Sequence, residues 1–455
     1  MISLIVLGWI YFSIILILTI FSLYSFIQEK EWRAFSRGIF LFLPFLTVFA
    51  ILLLLKFSAR NWIILSILLI DGVIVLLISV PFGKAQSIQI KGEQQRIDER
   101  DAFFHRFYRL KPETPEFKAY YNDHPEKFEF DQKLRSIPGL GNPGSKSYHP
   151  LTAPFQEAIF RVLGGMTREI DWQPEPIEGK PINIAAKDFT RIIKGFARYL
   201  GADLVGTTKL NPAYIYSHIA RGSGKWGDPI ELNHTHAIAV AVEMRYDMIR
   251  HAPESPTITE SAFSYYENAK IAMIITKYIN LLGYEARAHV DGNYRVMCIP
   301  IAVDAGLGEL GRIGLLITPK FGPRVRLSVV TTNLPLIQDQ TIAFGVQHFC
   351  GICKKCAINC PTASIDRGKK AIYNGVEKWL SNQDNCYRFW RTQGTDCSIC
   401  IKVCPYSYPR ATMHNMIRWL VRRNNLARRI AFLGDNFFYG HLPGNQSPLP
   451  EWYVK

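Results

Sequence analysis

Eight of the nine cysteines in this 455-residue chain fall in two runs. Cys350, Cys353, Cys356 and Cys360 precede Pro361, and Cys386, Cys397, Cys400 and Cys404 precede Pro405. The first run has the C-x2-C-x2-C-x3-C-P spacing that holds a cubic [4Fe–4S] cluster, and the second repeats its last three ligands after a longer gap. Two such runs define an electron carrier. In two-cluster folds the fourth cysteine of a run serves the other cluster, which groups Cys350, Cys353 and Cys356 with Cys404, and Cys386, Cys397 and Cys400 with Cys360. The competing readings are weaker: zinc sites usually come as two CxxC pairs, and disulfides are disfavoured in a reducing compartment. Cys298, in an apolar run, reads as a buried structural thiol.

What the clusters serve must come from the rest of the chain, which is about three times longer than one average domain. The first 83 residues carry three apolar stretches, roughly 4–27, 39–57 and 62–82. Each is long enough to cross the ~30 Å hydrocarbon core as a helix, and a cleaved signal peptide is too short to explain them. Lys30, Arg33 and Arg37 fill the first loop, and Lys84, Lys91, Arg96, Arg100, Arg106 and Arg109 follow the third stretch, whereas the second loop has only Lys56 and Arg60. Basic residues favour the cytoplasmic side, so the expected topology is a multi-pass inner-membrane protein whose catalytic part faces the cytoplasm. Asp71, inside the third stretch, is costly in lipid and reads as a helix-packing or interfacial group rather than part of a quinone or proton route.

A net charge of +15 does not by itself imply nucleic acid, because proteins on the cytoplasmic side of a membrane are often basic for topological reasons. No nucleic-acid partner is expected. Residues 410–429 interleave Arg418, Arg422, Arg423, Arg428 and Arg429 with apolar residues and predict an amphipathic helix that covers the cluster domain or lies on anionic lipid. Between anchor and clusters lies an α/β region. Residues 236–244 predict a buried strand, 264–283 a helix with a glycine stop, and 296–301, 314–318 and 326–332 further strands.

Gly306-Leu-Gly308-Glu-Leu-Gly311 matches GxGxxG, but a dinucleotide site needs a strand before the loop and a helix after it. Here a helix expected around 300–305 precedes the loop and a strand-like segment follows. The glycines fit better as a loop approaching some other large cofactor.

With these residues in view, the chain resembles the reductive dehalogenases. The resemblance rests on Asp98-Glu-Arg-Asp101, Phe103-Phe104, Tyr120-Tyr121, His124-Pro-Glu126, residues 241–246, Ala252-Pro253, Ala269-Lys-Ile-Ala272, Gly306 to Gly314, Phe321-Gly-Pro-Arg324, the two cysteine runs and the tail from Phe437 to Trp452. It covers roughly residues 99–455. It implies a nitroreductase-like α/β core that binds a corrinoid (cobalamin) base-off, near the loop of Gly306, Gly308, Gly311 and Gly314, beside a ferredoxin-like domain with two [4Fe–4S] clusters. The Asp-x-His-x-x-Gly motif of histidine-ligated corrinoid proteins is absent from the sequence, consistent with a cofactor that takes no histidine.

The expected organisation is therefore a three-helix transmembrane anchor (1–83), a corrinoid-binding catalytic α/β domain (84–340), a two-cluster ferredoxin-like domain (341–410) and a basic C-terminal segment packing on the core or membrane (411–455). The resemblance implies reductive dehalogenation of a small organohalide, with electrons from a cytoplasmic or membrane donor passing from the outer cluster to the inner one to cobalt. Tyr246, just past the buried strand, is the expected proton donor, since a phenol near pKa 10 keeps its proton. Arg295 or Arg312 is expected to steady the phenolate, with Tyr265 or Tyr266 as the alternative donor. The chain departs from the family in lacking a twin-arginine signal, in carrying its own spans and at the position of an expected asparagine, which falls at Glu267 or Asn268. Two other classes remain open: an epoxyqueuosine-reductase-like enzyme acting on tRNA, and a membrane-bound electron conduit without catalysis.

Overall fold

The computed structural model describes residues 4–83, 85–441 and 449–453, so Lys84 lies outside the described residues. Contacts divide the chain into two units. One comprises Met1–Gln86, Phe344–Lys355 and Tyr408–Ser447, and the other Ser87–Ala343, Cys356–Ser407 and Pro448–Lys455. This partition cuts across the expected domain boundaries at 340 and 410.

In the helical unit, α1 (Leu4–Gln28), α2 (Trp32–Leu54) and α3 (Arg60–Ser79) are long and apolar enough to cross a membrane. Their flanks expose large apolar side chains such as Phe40, Val48, Leu54 and Trp62, which water would penalise and lipid would not. Gly8 lets α1 close on α2, because a Cβ there would meet Leu53 at 2.7 Å. Asp71 of α3 accepts a hydrogen bond from the Tyr11 hydroxyl of α1, a packing role of the kind expected for an intramembrane carboxyl.

The α/β unit is built on a four-stranded antiparallel sheet of β1 (Leu204–Lys209), β2 (His236–Glu243), β3 (Ala286–His289) and β4 (Val325–Thr332), in the order β1-β2-β4-β3. β2 lies within the sheet, and its six residues from Ala237 to Val242 are buried on both faces, as its uninterrupted apolar run requires. One face packs on α4 (Pro256–Leu281) through Ile238, Val240, Ile271 and Ile275. The other face meets α5 (Cys298–Asp304) through Ala239, Ala241, Ile301 and Ala302.

β2, β4 and the glycine stop of α4, where Gly283 takes φ +90°, match the sequence expectation. Three elements differ. α4 starts eight residues before Ser264, because Pro256 in its first turn has its φ already set for a helix. Residues 298–301 are helical rather than extended: Pro300 sits in the first turn of α5, where its missing N–H costs nothing. The basic segment forms two helices, α7 (Thr412–Val421) and α8 (Asn425–Phe438), with α6 (Val346–Cys353) preceding them in the same unit. Asn424 makes the break. Its side chain accepts from Ala427 N at 2.8 Å to cap α8 and donates to the carbonyls of Leu77, Ile78 and Val80 at the end of α3.

Candidate functional site

Six of the eight paired-run cysteines lie in the α/β unit, and four of them, Cys360, Cys386, Cys397 and Cys400, bear on one another electrostatically. Burial pushes Cys386 up to about 11 and Cys400 to about 12, and in each case the neighbouring Cys360 adds to the rise. Cys397 rises for the same first reason, reinforced by Cys400 and Cys386. Thiols held this way release their protons when a cation compensates them, as iron does.

The backbone is shaped for it. Cys397 and Ser398 both take the left-handed conformation, with φ of 57° and 53°, and the Ile399 amide bonds the Cys397 thiol. Ser364 N donates to Cys360 Sγ at 3.2 Å, and amides of the same turn hold that thiol below its ordinary value despite its burial. Among the described residues no three His, Cys, Asp or Glu side chains are close enough to share one metal ion. In the helical unit Cys350 and Cys353 sit on α6, and Lys354 after them is again left-handed at φ 56°. Cys356 and Cys404 belong to the α/β unit.

The α/β unit also holds an open cavity of about 210 Å³ between α5, the residues after the glycine loop and β4. Its lining combines Tyr216, Tyr265, Tyr294, Arg221 and Arg326 with apolar groups such as Ile299 and Leu315. Arg326 stands 4.7 Å over the Tyr265 ring and donates to Asp396 Oδ2 at 2.8 Å and to the Ser261 hydroxyl. Arg221 lies 4.5 Å over the Tyr294 ring, donates to buried Glu99 at 3.1 Å and approaches Asp291 at 3.9 Å. Burial raises the Tyr265 phenol, and Arg326 opposes the rise. Burial likewise raises the Asp291 carboxyl against Arg221 and Arg326. The phenol therefore stays protonated, with a cation in place to receive its anion.

The sequence-predicted residues fare unevenly. Tyr246 opens the short helix Tyr246–Ile249 and does not line the cavity; the cations over its ring are Arg250 and Arg324, at 5.4 and 5.6 Å. Arg295 donates to carbonyls of Arg221, Ser223 and Tyr294. Arg312 donates to Asp366 and Gly368 carbonyls and covers the Trp379 ring at 4.4 Å. Both arginines thus brace loops. β2 ends at Glu243, and Tyr246 opens the next short helix with Arg324 over its ring.

The Gly306 to Gly314 loop follows a helix and leads into the small hairpin of Glu309–Leu310 and Leu316–Ile317. Gly308 is required by that hairpin itself, since a Cβ there would come within 2.2 Å of the Ile317 carbonyl oxygen. Gly306 and Gly311 are similarly crowded, by Gln340 and Ile317, and Gly314 needs its φ of +74°. The loop's link to the cavity runs through Leu315 and Leu316. Cys298 lines the cavity instead of lying in sealed core, and burial pushes its thiol to about 12. Sequence reasoning passed over Arg221, Asp291, Tyr294 and Arg326. The available signal was Arg326, a cation inside an otherwise uncharged strand.

The cavity's volume of about 210 Å³ and its mixed aromatic, apolar and cationic lining suit a small substrate. Arg326 Nε, of a lining residue, and Asp396 Oδ1 are both buried without a hydrogen-bond partner among the described residues. Besides Arg221 and Arg326 the lining is apolar, aromatic or thiol, and it includes no histidine among the described residues.

Fold and site together define an iron–sulfur protein with a cavity-bearing α/β core and helices fit for a membrane. Residues 349–408 match the 4Fe-4S dicluster domain family. The tetrachloroethene reductive dehalogenase of Sulfurospirillum multivorans is 31% identical over 291 residues, 56% of this chain and 58% of that protein. That of Desulfitobacterium hafniense is 33% identical over 343 residues, 64% and 62%. The chain thus spans about three fifths of the length of these curated relatives. A solved reductive dehalogenase structure, described as suggesting a mechanism for B12-dependent dehalogenation, superposes with TM-score 0.63 at 25% identity, covering 79% of this chain and 49% of that one. The chain is thus similar to the reductive dehalogenases over about three fifths of their length.

Proposed function

We propose that this chain is a membrane-anchored reductive dehalogenase that converts a small organohalide, two electrons and a proton into the hydrocarbon and a halide ion. The observation that carries the reading is the continuous line Tyr265, Arg326, Asp396, Cys397, which joins the cavity to a cluster ligand. A base-off corrinoid beside the cavity would supply the cobalt that cleaves the carbon–halogen bond. Two [4Fe–4S] clusters would deliver its electrons, one on Cys350, Cys353, Cys356 and Cys404 and one on Cys360, Cys386, Cys397 and Cys400.

The protein's own residues do the rest. Apolar Ile299, Leu315 and Leu327 take the substrate out of water, which favours an uncharged organohalide. Tyr265 gives its hydroxyl proton to the carbon that loses halide, and Arg326 steadies the phenolate until solvent restores the proton. We therefore assign the proton to Tyr265 in place of Tyr246. Arg326 keeps its orientation through Asp396 and Ser261.

The spans and the distribution of lysine and arginine support an inner-membrane protein with this unit in the cytoplasm. The test is anaerobic purification with and without added corrinoid, then turnover of tetrachloroethene and of bromophenol with a reduced viologen. Corrinoid-dependent halide release is expected. A protein that loads corrinoid and clusters yet releases no halide from either substrate would return the reading to an electron conduit.

A further inference from the structure

The helical unit carries a surface that electron transfer does not use. On α8 the side chains of Leu426, Ile430, Leu433 and Phe437 recur at spacings of four, three and four, which puts them on one helix face. All four are exposed, Leu433 at 65%. On α7, Met416, Ile417 and Trp419 are exposed as well. Water does not favour so continuous an apolar surface, so it marks a contact.

Two observations say what covers it. The first is continuity with the spans. Asn424, at the head of α8, bonds the last carbonyls of α3. At its other end Arg37 of α2 donates to the Phe437 carbonyl, and Phe438 packs on Phe26 of α1 and Phe42 of α2. His414 of α7 bonds Glu29, just past α1, at 2.9 Å. The end of α1, the start of α2 and the end of α3 share one side in a three-span topology. The hairpin of α7 and α8 is therefore tied to the membrane ends on that side, and its exposed face continues the exposed apolar flanks of the spans.

The second is charge. From Arg410 to Gly434 there are six arginines and no aspartate or glutamate. Arg422 and Arg429 are exposed, Arg422 with its guanidinium 5.9 Å from the Phe344 ring, and Arg423 covers the Trp419 ring at 4.0 Å. Apolar side chains flanked by arginine, without carboxylates, complement an anionic phospholipid leaflet.

We infer that α8, with α7, is an in-plane helix that beds Leu426, Ile430, Leu433 and Phe437 into the acyl region of an anionic leaflet, with Arg422 and Arg429 at its phosphates. α6 packs on α8, so the helix that carries Cys350 and Cys353 rides directly on this lipid-bound element.

The test uses the full chain with its clusters, in nanodiscs of phosphatidylcholine alone or mixed with phosphatidylglycerol, with trace phospholipid bearing a photoreactive acyl chain. Peptides containing residues 426–437 should be labelled as strongly as those from α1 to α3. Arg422→Gln with Arg429→Gln should reduce the preference for phosphatidylglycerol label at α8 by roughly fivefold per arginine removed. Ile430→Ser with Leu433→Ser should abolish acyl labelling there while the cluster absorbance is kept. Label confined to α1–α3 in the wild-type chain would overturn the inference. So would protection of the stripe by a second copy, seen as cross-linked dimers with α8 unlabelled. The wild-type labelling map decides the question by itself, even where a variant fails to fold.

Discussion

Arg326 Nη2 donates to Asp396 Oδ2 at 2.8 Å, and Asp396 immediately precedes Cys397. The cation over the cavity tyrosine is thus held by the loop that presents Cys397. Asp396→Asn keeps the shape and removes the charge, so Arg326 loses its anchor. Dehalogenation should fall about tenfold or more with iron content unchanged, the scale of a lost charged hydrogen bond. Unchanged turnover would separate cavity and cluster loop functionally.

Tyr265→Phe deletes one hydroxyl and little volume. Halide release should drop by ~10²-fold or more, the scale of a lost general acid, while clusters and corrinoid load normally. Tyr246→Phe, outside the cavity, should stay within about threefold of wild type by the same reasoning. The reverse ranking would restore Tyr246 as the donor.

Iron should approach about eight atoms per chain in protein prepared without oxygen. Cys397→Ser should disturb the cluster shared with Cys360, Cys386 and Cys400 and leave a second cluster signal in the EPR spectrum of the reduced protein. Iron near four with stoichiometric zinc would contradict the assignment.

Glu260, 3% exposed in α4, carries a carboxyl that burial pushes up to about 7, against the backbone amide and guanidinium of Arg245. Between the ordinary value of 4.5 and 7 the unfolded chain gives up this proton while the folded chain keeps it, so stability falls as pH rises through that window and levels off above it. The difference is on the order of 3 kcal/mol. Glu260→Gln should therefore raise the thermal midpoint in detergent at pH 8 and leave it nearly unchanged at pH 5. An equal shift at both values would assign the effect to packing.

A reporter active only in the periplasm, fused after residue 455, should be silent, and one active only in the cytoplasm should be bright. Periplasmic activity would place the α/β unit outside the cell and undo the reading of the Lys30, Arg33 and Arg37 loop.

The spans and the buried strand at 236–243 were legible because each depends on local periodicity, and the dicluster region at 349–408 because it depends on cysteine spacing. The cavity was not. Tyr265, Asp291 and Arg326 come from a helix, a turn and a strand up to 61 residues apart, and only pairing of β3 with β4 and packing of α4 on the sheet bring them together. Tyr246 drew notice because it follows a readable strand. Strand ends can be read from sequence, but the direction of the next turn cannot. The double use of residues 410–429 was also hidden, since the break at Asn424 answers carbonyls more than 340 residues earlier.

Those carbonyls have a consequence for synthesis. The partner of Leu77, Ile78 and Val80 leaves the ribosome only after Asn424 has been translated, when α3 has long been inserted. At about 5–20 residues per second, that interval lasts tens of seconds, during which the end of the third helix is satisfied by water or lipid headgroups alone. The membrane part of this chain is therefore completed last, although its residues come first. A chain truncated before Asn424 would insert its three spans and still lack the piece that finishes them.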